Sequence, residues 1–132
     1  MNKKQNEETC LPFIYIMGPI SNGGKLGARE IHSNVKKSEK IYMELVKKGY
    51  NPINPHFSYY PWLEYHEDID WKTWLKMDEN YVRGCPFLFY MTPKKYGPSK
   101  GALFEYNLGK KLGKKIFTDL KQVPNLNKEN KK

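Results

Sequence analysis

A chain of 132 residues, 39% apolar and 28% charged, is long enough for one domain with a buried core and short for two. Ten Tyr, six Phe and three Trp argue against global disorder, no apolar run approaches the roughly 20 residues of a membrane helix, and the polar N-terminus carries no secretory h-region. The net charge of +9, from 23 Lys+Arg against 14 Asp+Glu, points toward anionic partners.

Residues 1–10 are polar and expected to fray, 11–120 carry the domain, and 121–132 read as a loose Lys/Asn-rich tail. The apolar run Phe13-Ile14-Tyr15-Ile16-Met17 ends at Gly18-Pro19 and reads as a buried strand. Residues 18–33 hold four glycines without clean periodicity and read as a loop. From about Asn34 the pattern is helical: Val35, Ser38, Ile41, Tyr42, Leu45 and Val46 share a face, and Gly49 stops it. Tyr50–Asn54 is a short second strand, followed by a long loop, 55–67, rich in Pro, His and aromatics. A second helix is expected over Asp70–Arg83, a third strand over Pro86–Met91, and a turn-rich loop to Pro98. Ser99 can cap a third helix to about Leu112, and Lys115–Thr118 is a fourth strand. Strands alternating with helices predict an α/β domain with a mainly parallel sheet and helices on both faces. In such sheets ligands bind at the carboxyl ends of the strands.

Two cysteines, Cys10 and Cys85, make no disulfide framework, and no Cys/His spacing reads as a metal site; a reducing, cytoplasmic setting is the default expectation. The positive charge is nearly all Lys, with Arg29 and Arg83 the two arginines. Without stacking aromatics interleaved among those lysines, a solvated lysine surface is the plainer reading and a nucleic-acid platform the weaker one.

Two carboxylates stand out under a 100° helical projection. Glu105 falls inside the face defined by Gly101, Ala102, Phe104, Leu108, Gly109 and Leu112. Asp78 falls inside the stripe of Trp71, Trp74, Leu75 and Val82. A carboxylate in an apolar stripe costs several kcal/mol unless it is paired or lines a functional cleft. A structural ion pair would explain one of them. Two, on helices that border one strand, suggest a shared site, and paired carboxylates suit glycosidic chemistry, where one attacks the anomeric carbon and the other manages protons. The Gly18–Gly24 loop offers backbone N–H groups to an anion but is neither a Walker A loop nor a dinucleotide fingerprint. Ser99-Lys100-Gly101 at a helix start is either a phosphate site or an ordinary cap.

These residues, from about Ile14 to Phe117, resemble the nucleoside 2-deoxyribosyltransferase-like superfamily, which includes the 2'-deoxynucleoside 5'-phosphate N-hydrolases. Ile14-Tyr15-Ile16-Met17-Gly18-Pro19 resembles its first strand. Asn34 with the amphipathic helix and Gly49–Pro55 resembles its next unit. Asp78 resembles the aspartate before the third strand, and Ser99-x-Gly101-x-x-x-Glu105 resembles a segment of the N-hydrolases. The resemblance implies a Rossmann-like fold, a homodimer or larger assembly, and neither metal nor organic cofactor. It implies Glu105 as nucleophile on C1', Tyr15 orienting it, and Asp78 assisting departure of the base. It implies sugar and 5'-phosphate contacts from Ser99, Gly101, Ser21 and the Gly23-Gly24 backbone, with Gly18, Pro19, Asn34 and His56 as further candidates around the substrate. Ser99 stands where the transferases usually carry an aspartate, which favours a 5'-phosphorylated substrate. The first loop lacks an arginine that some N-hydrolases have, and the aromatic run Phe57–Trp62 has no assigned counterpart. The expected function is cleavage, by hydrolysis or transfer, of the N-glycosidic bond of a nucleotide or nucleoside, a small-molecule partner. The alternatives are a non-catalytic nucleotide-binding protein on the same fold and, behind it, a nucleic-acid accessory protein. No membrane partner is expected.

Overall fold

A computed structural model describes residues 10–18, 28–65, 69–91 and 100–127. Four parallel strands form one sheet in the order β2-β1-β3-β4: β1 (Phe13–Met17), β2 (Asn51–Ile53), β3 (Phe87–Tyr90) and β4 (Lys115–Phe117). Among the described residues four α-helices connect and flank them: α1 (Ala28–Lys47), α2 (Tyr59–Tyr65), α3 (Trp71–Gly84) and α4 (Lys100–Lys111). The α/β class and parallel sheet expected from the sequence are therefore present, with β1 and β3 in the centre. β2, an edge strand, can carry Pro52 because only one of its sides needs a ladder.

Alternation along β1 divides the core. Ile14 and Ile16 pack with Leu45, Tyr50, Phe89, Met91, Phe117 and Val123 on the α1 side of the sheet. Tyr15 and Met17 pack with Val82, Cys85, Leu88, Tyr90 and Ala102 on the side of α3 and α4, which also pack on each other. A single row, Ile53–Tyr15–Leu88–Ile116, crosses all four strands on that second face.

Several boundaries differ from the sequence expectation. α1 starts at Ala28, not near Asn34, so residues 28–33 belong to a helix rather than a loop. Ala28, Arg29 and Glu30 are good helix formers and Glu30 suits the positive helix end, but with Ile31 alone before Val35 there was no apolar rhythm to read. The stretch 55–67 is not all loop. Asn54 accepts a hydrogen bond from the His56 N–H, Pro55 opens a 3-10 turn over Pro55–Ser58, and α2 follows directly. This segment is pinned to α1 by Tyr60 donating to Glu39 and by ring contacts of Phe57 with Tyr42 at 5.1 Å and Tyr59 with His32 at 6.2 Å. A seven-residue helix without apolar periodicity leaves no helical signature in sequence.

The tail expectation also changes. Val123 is buried, and the segment up to Asn127 grips the corner between α1 and β2. Tyr50 Oη donates to the Pro124 carbonyl (2.9 Å), Lys48 Nζ to the Val123 carbonyl (3.1 Å), the Leu126 N–H to the Lys48 carbonyl (2.8 Å) and Asn127 Nδ2 to the Lys47 carbonyl (2.8 Å). The last two satisfy carbonyls that the end of α1 leaves open. Gly49, at φ 98°, makes the left-handed turn there, and a Cβ on it would stand 3.1 Å from Asn127 Oδ1 and from Leu126 Cβ.

Candidate active site

The topology reverses at β1: the chain crosses to one neighbour, β2, and then to the other, β3. Such a switch point opens a crevice at the carboxyl ends of the two central strands. Gly18 follows β1 there and Met91 follows β3, with the Met91 N–H donating to the Met17 carbonyl at 2.7 Å. A Cβ on Gly18 would lie 2.8 Å from Met91 Cβ, so only glycine lets the two segments close at this point.

Three of the sequence candidates meet beneath α3 and α4. Tyr15 comes from β1 and is fully buried. Glu105 comes from the second turn of α4 and is 5% exposed, with Ala102 and Gly109 buried on the same stripe. Asp78 comes from α3, half-buried and on the same side as Val82. The stripe on α4 is narrower than projection suggested: Phe104 (40% exposed) and Leu112 (39%) lie outside it, while Ala102, Gly109 and the partly buried Leu108 stay with Glu105. The Tyr15 ring stacks on Tyr81 of α3 at 5.5 Å and 24°. Tyr90, at the end of β3, meets Tyr106 edge-on at 5.1 Å, and Lys110 Nζ stands 5.5 Å above the Tyr106 ring. Sequence reading missed these aromatic walls. Tyr81 sits three residues after Asp78 and Tyr106 next to Glu105, but tyrosines at such spacings are ordinary core residues.

The electrostatics of the three groups are coupled. Burial raises Glu105 to about 8, and the nearby Asp78 charge adds to the rise. Burial raises Asp78 to about 6. The Tyr15 hydroxyl opposes both shifts, and its own pKa is pushed well above 10, first by burial and then by the two carboxylates. The hydroxyl is therefore close to both acids. It forms no well-aligned hydrogen bond with either, for Tyr15 Oη and Glu105 Oε2 are both buried without a hydrogen-bond partner among the described residues. Buried polar atoms are nearly always satisfied, and unsatisfied ones concentrate where a ligand or reacting group is to be met. Glu105, the more buried acid, is the more strongly raised of the two and so keeps its proton to higher pH than Asp78.

Other candidates lie elsewhere. Asn34 is half-buried on α1. His56 is fully buried, its N–H bound to Asn54 Oδ1, and Asn54 Nδ2 donates to Ser38 Oγ of α1, so this polar cluster belongs to the α1 side. Gly101 is in the first turn of α4. Pro19, Ser21, Gly23, Gly24 and Ser99 lie outside the described residues. Among the described residues no cluster of three or more His, Cys, Asp or Glu could hold a metal ion, and no helix is long and apolar enough to cross a membrane.

The parallel sheet, with its switch point at β1 and helices on both faces, is a Rossmann-like α/β fold. Among solved structures the chain is similar to the 2-desoxiribosyltransferase from Leishmania mexicana, with a TM-score of 0.52 and 17% identity over 80% of this chain. The match covers 61% of that enzyme, so this chain spans about three fifths of its length. At that identity the likeness is one of fold. No protein-family model and no curated protein sequence matches the chain.

Proposed function

We propose that the protein cleaves the N-glycosidic bond of a (deoxy)nucleoside 5'-monophosphate or a related nucleotide, with Glu105 as nucleophile. The observation that carries this reading is the meeting of Tyr15, Asp78 and Glu105, two of them with unpartnered buried oxygens, under two packed helices. A Glu105 carboxylate oxygen attacks C1', the C1'–N bond breaks, and its electron pair leaves with the base. Asp78, as the acid of the pair, gives the departing base its proton. Water then attacks C1' of the glycosyl ester, freeing Glu105 and returning a proton to Asp78; a second base in place of water gives transfer. Reaction requires Glu105 ionised and Asp78 protonated, the less favoured arrangement, and Tyr15 favours it by stabilising the Glu105 anion.

The 5'-phosphate is inferred from the Ser99-x-Gly101 sequence pattern, from Gly101 in the first turn of α4, where a helix N-terminus favours an anion, and from the net charge of +9. The structural neighbour, a 2-desoxiribosyltransferase, supports glycosyl transfer at large. The proposal includes a homodimer or larger assembly and a reducing, cytoplasmic setting. The test is free-base release from (deoxy)nucleosides, their 5'-monophosphates and NAD, by the parent and by Glu105→Ala. Release that depends on Glu105 establishes the reaction, and undiminished release by the variant overturns the nucleophile.

One observation favours a second reading, a nucleotide-binding protein without turnover. Burial pushes the Glu105 carboxyl up to about 8, and a carboxyl that stays protonated is a hydrogen-bond donor rather than a nucleophile. That protein would bind nucleotide in a thermal-shift assay, release no base, and bind as well with Glu105→Gln.

A further inference from the structure

We infer that Gly109 is a positioning residue for Glu105: its missing side chain lets α4 sit close enough to the sheet for the carboxylate to reach Tyr15 and Asp78. The inference rests on the proposed role of Glu105 and concerns a residue outside that chemistry.

The geometry is specific. Gly109 follows Glu105 by four residues, one turn along the same buried stripe. A Cβ on Gly109 would stand 2.4 Å from Leu88 Cδ1 and 3.4 Å from Ile116 Cδ1. Carbon atoms in contact settle at about 3.5–4.0 Å, so a methyl group would have to gain on the order of 1 Å from Leu88. Leu88 is fully buried on a central strand, and Ile116 stands on the β4 side. The clash is relieved by the Leu88 side chain turning or by α4 lifting, and the inference is that α4 lifts. Leu88 pairs directly with Tyr15 in the ladder, so the surface that fixes the height of Gly109 adjoins the residue Glu105 must meet. Gly84, at the end of α3, makes a useful contrast, since a Cβ there would touch nothing within 4 Å. Glycine costs helix stability relative to alanine, and at Gly109 the missing Cβ gives close approach in return.

The experiment compares the parent, Gly109→Ala, Gly109→Ala/Leu88→Val and Gly84→Ala. Valine at 88 lacks the Cδ1 atom that the new methyl would strike. Gly109→Ala should lower kcat by about 10- to 100-fold with KM within about twofold, because an ångström of misplacement acts on the reacting geometry. Leu88→Val should recover most of that loss, and Gly84→Ala should leave kcat unchanged. The second readout is the Glu105 carboxyl titration by 13C NMR, which needs no turnover. Among the described residues Asp78 and Tyr15 act on the Glu105 carboxyl, and Tyr90 is in turn raised by it. Lifting α4 away from them and toward water should move the titration down, by about one pH unit, and Leu88→Val should move it back. A Gly109→Ala protein that melts lower but keeps the parent's titration overturns the inference, as does a loss that Leu88→Val fails to repair. If the parent releases no base from any substrate, the proposed function fails by itself and the titration still decides the role of Gly109.

Discussion

The two faces of the sheet share the same strands and are built for different ends. On the α1 face, Ile14, Ile16, Leu45, Phe89 and Phe117 form an apolar layer whose burial supplies stability. On the other face, Tyr15 and Leu88 lie under helices that bring in Glu105 and Asp78, acids whose desolvation works against folding. One residue of offset along β1 separates the two, because successive side chains point to opposite faces. A domain can retain such a cost where the arrangement is needed for chemistry and the opposite layer offsets it. Substitutions should therefore sort by face.

The largest effect separates the faces most cleanly. Glu105→Ala should reduce base release by at least about 10³-fold, the scale lost with a covalent nucleophile, while its melting temperature stays level or rises. Leu45→Ala on the opposite face should do the reverse. It should cost about 2–5 kcal/mol in denaturant unfolding and leave the activity per folded molecule as in the parent. Equal stability losses from both substitutions would erase the distinction.

The pH dependence sharpens it. Glu105 and Asp78 are raised in the folded protein to about 8 and about 6, so the native state keeps protons that the unfolded chain has released. Their contribution to stability is therefore neutral below the ordinary carboxylate range and becomes steadily more unfavourable as pH rises toward 8. Glu105→Gln should relieve most of this. Its stability gain should be absent near pH 4, grow through the window and level off above about pH 8. In the parent, kcat/KM should be bell-shaped with limbs near 6 and 8, values that belong to the pair. A gain that is flat with pH would mean that Glu105 is not held protonated by burial.

What sequence could reveal followed the same division. The β1 run, the α1 stripe from Val35 to Leu45 and the helix around Asp78 are strong apolar periodicities, and the structure has all three. Asp78 and Glu105 were visible as polar residues at apolar positions, an anomaly that projection detects without knowing the partner. Features that depend on a second segment were illegible. The first turn of α1 has too few apolar residues, α2 is held by Tyr60 and Phe57 meeting α1, and Val123 is buried through contacts with a corner over 70 residues earlier. The tight seat of Gly109 on Leu88 likewise exists only once helix and sheet are brought together.

Two tyrosine hydroxyls give the finest test, one for each face. Tyr50 Oη donates to the Pro124 carbonyl at 2.9 Å and ties the C-terminal segment to the α1 side. Tyr15 Oη is buried beside two carboxylates with no aligned partner among the described residues. Removing a satisfied hydroxyl forfeits its bond and leaves the carbonyl wanting, whereas removing an unsatisfied one relieves a desolvation cost. Tyr50→Phe should thus lose about 1 kcal/mol of stability and keep parental base release. Tyr15→Phe should lose no stability, yet its base release should fall by about tenfold or more and the upper limb of its pH profile should move up. The hydroxyl that draws the Glu105 pKa down is then gone. If Tyr15→Phe were the less stable variant and an undiminished catalyst, the hydroxyl would be serving the fold, and the two faces would differ in composition but not in purpose.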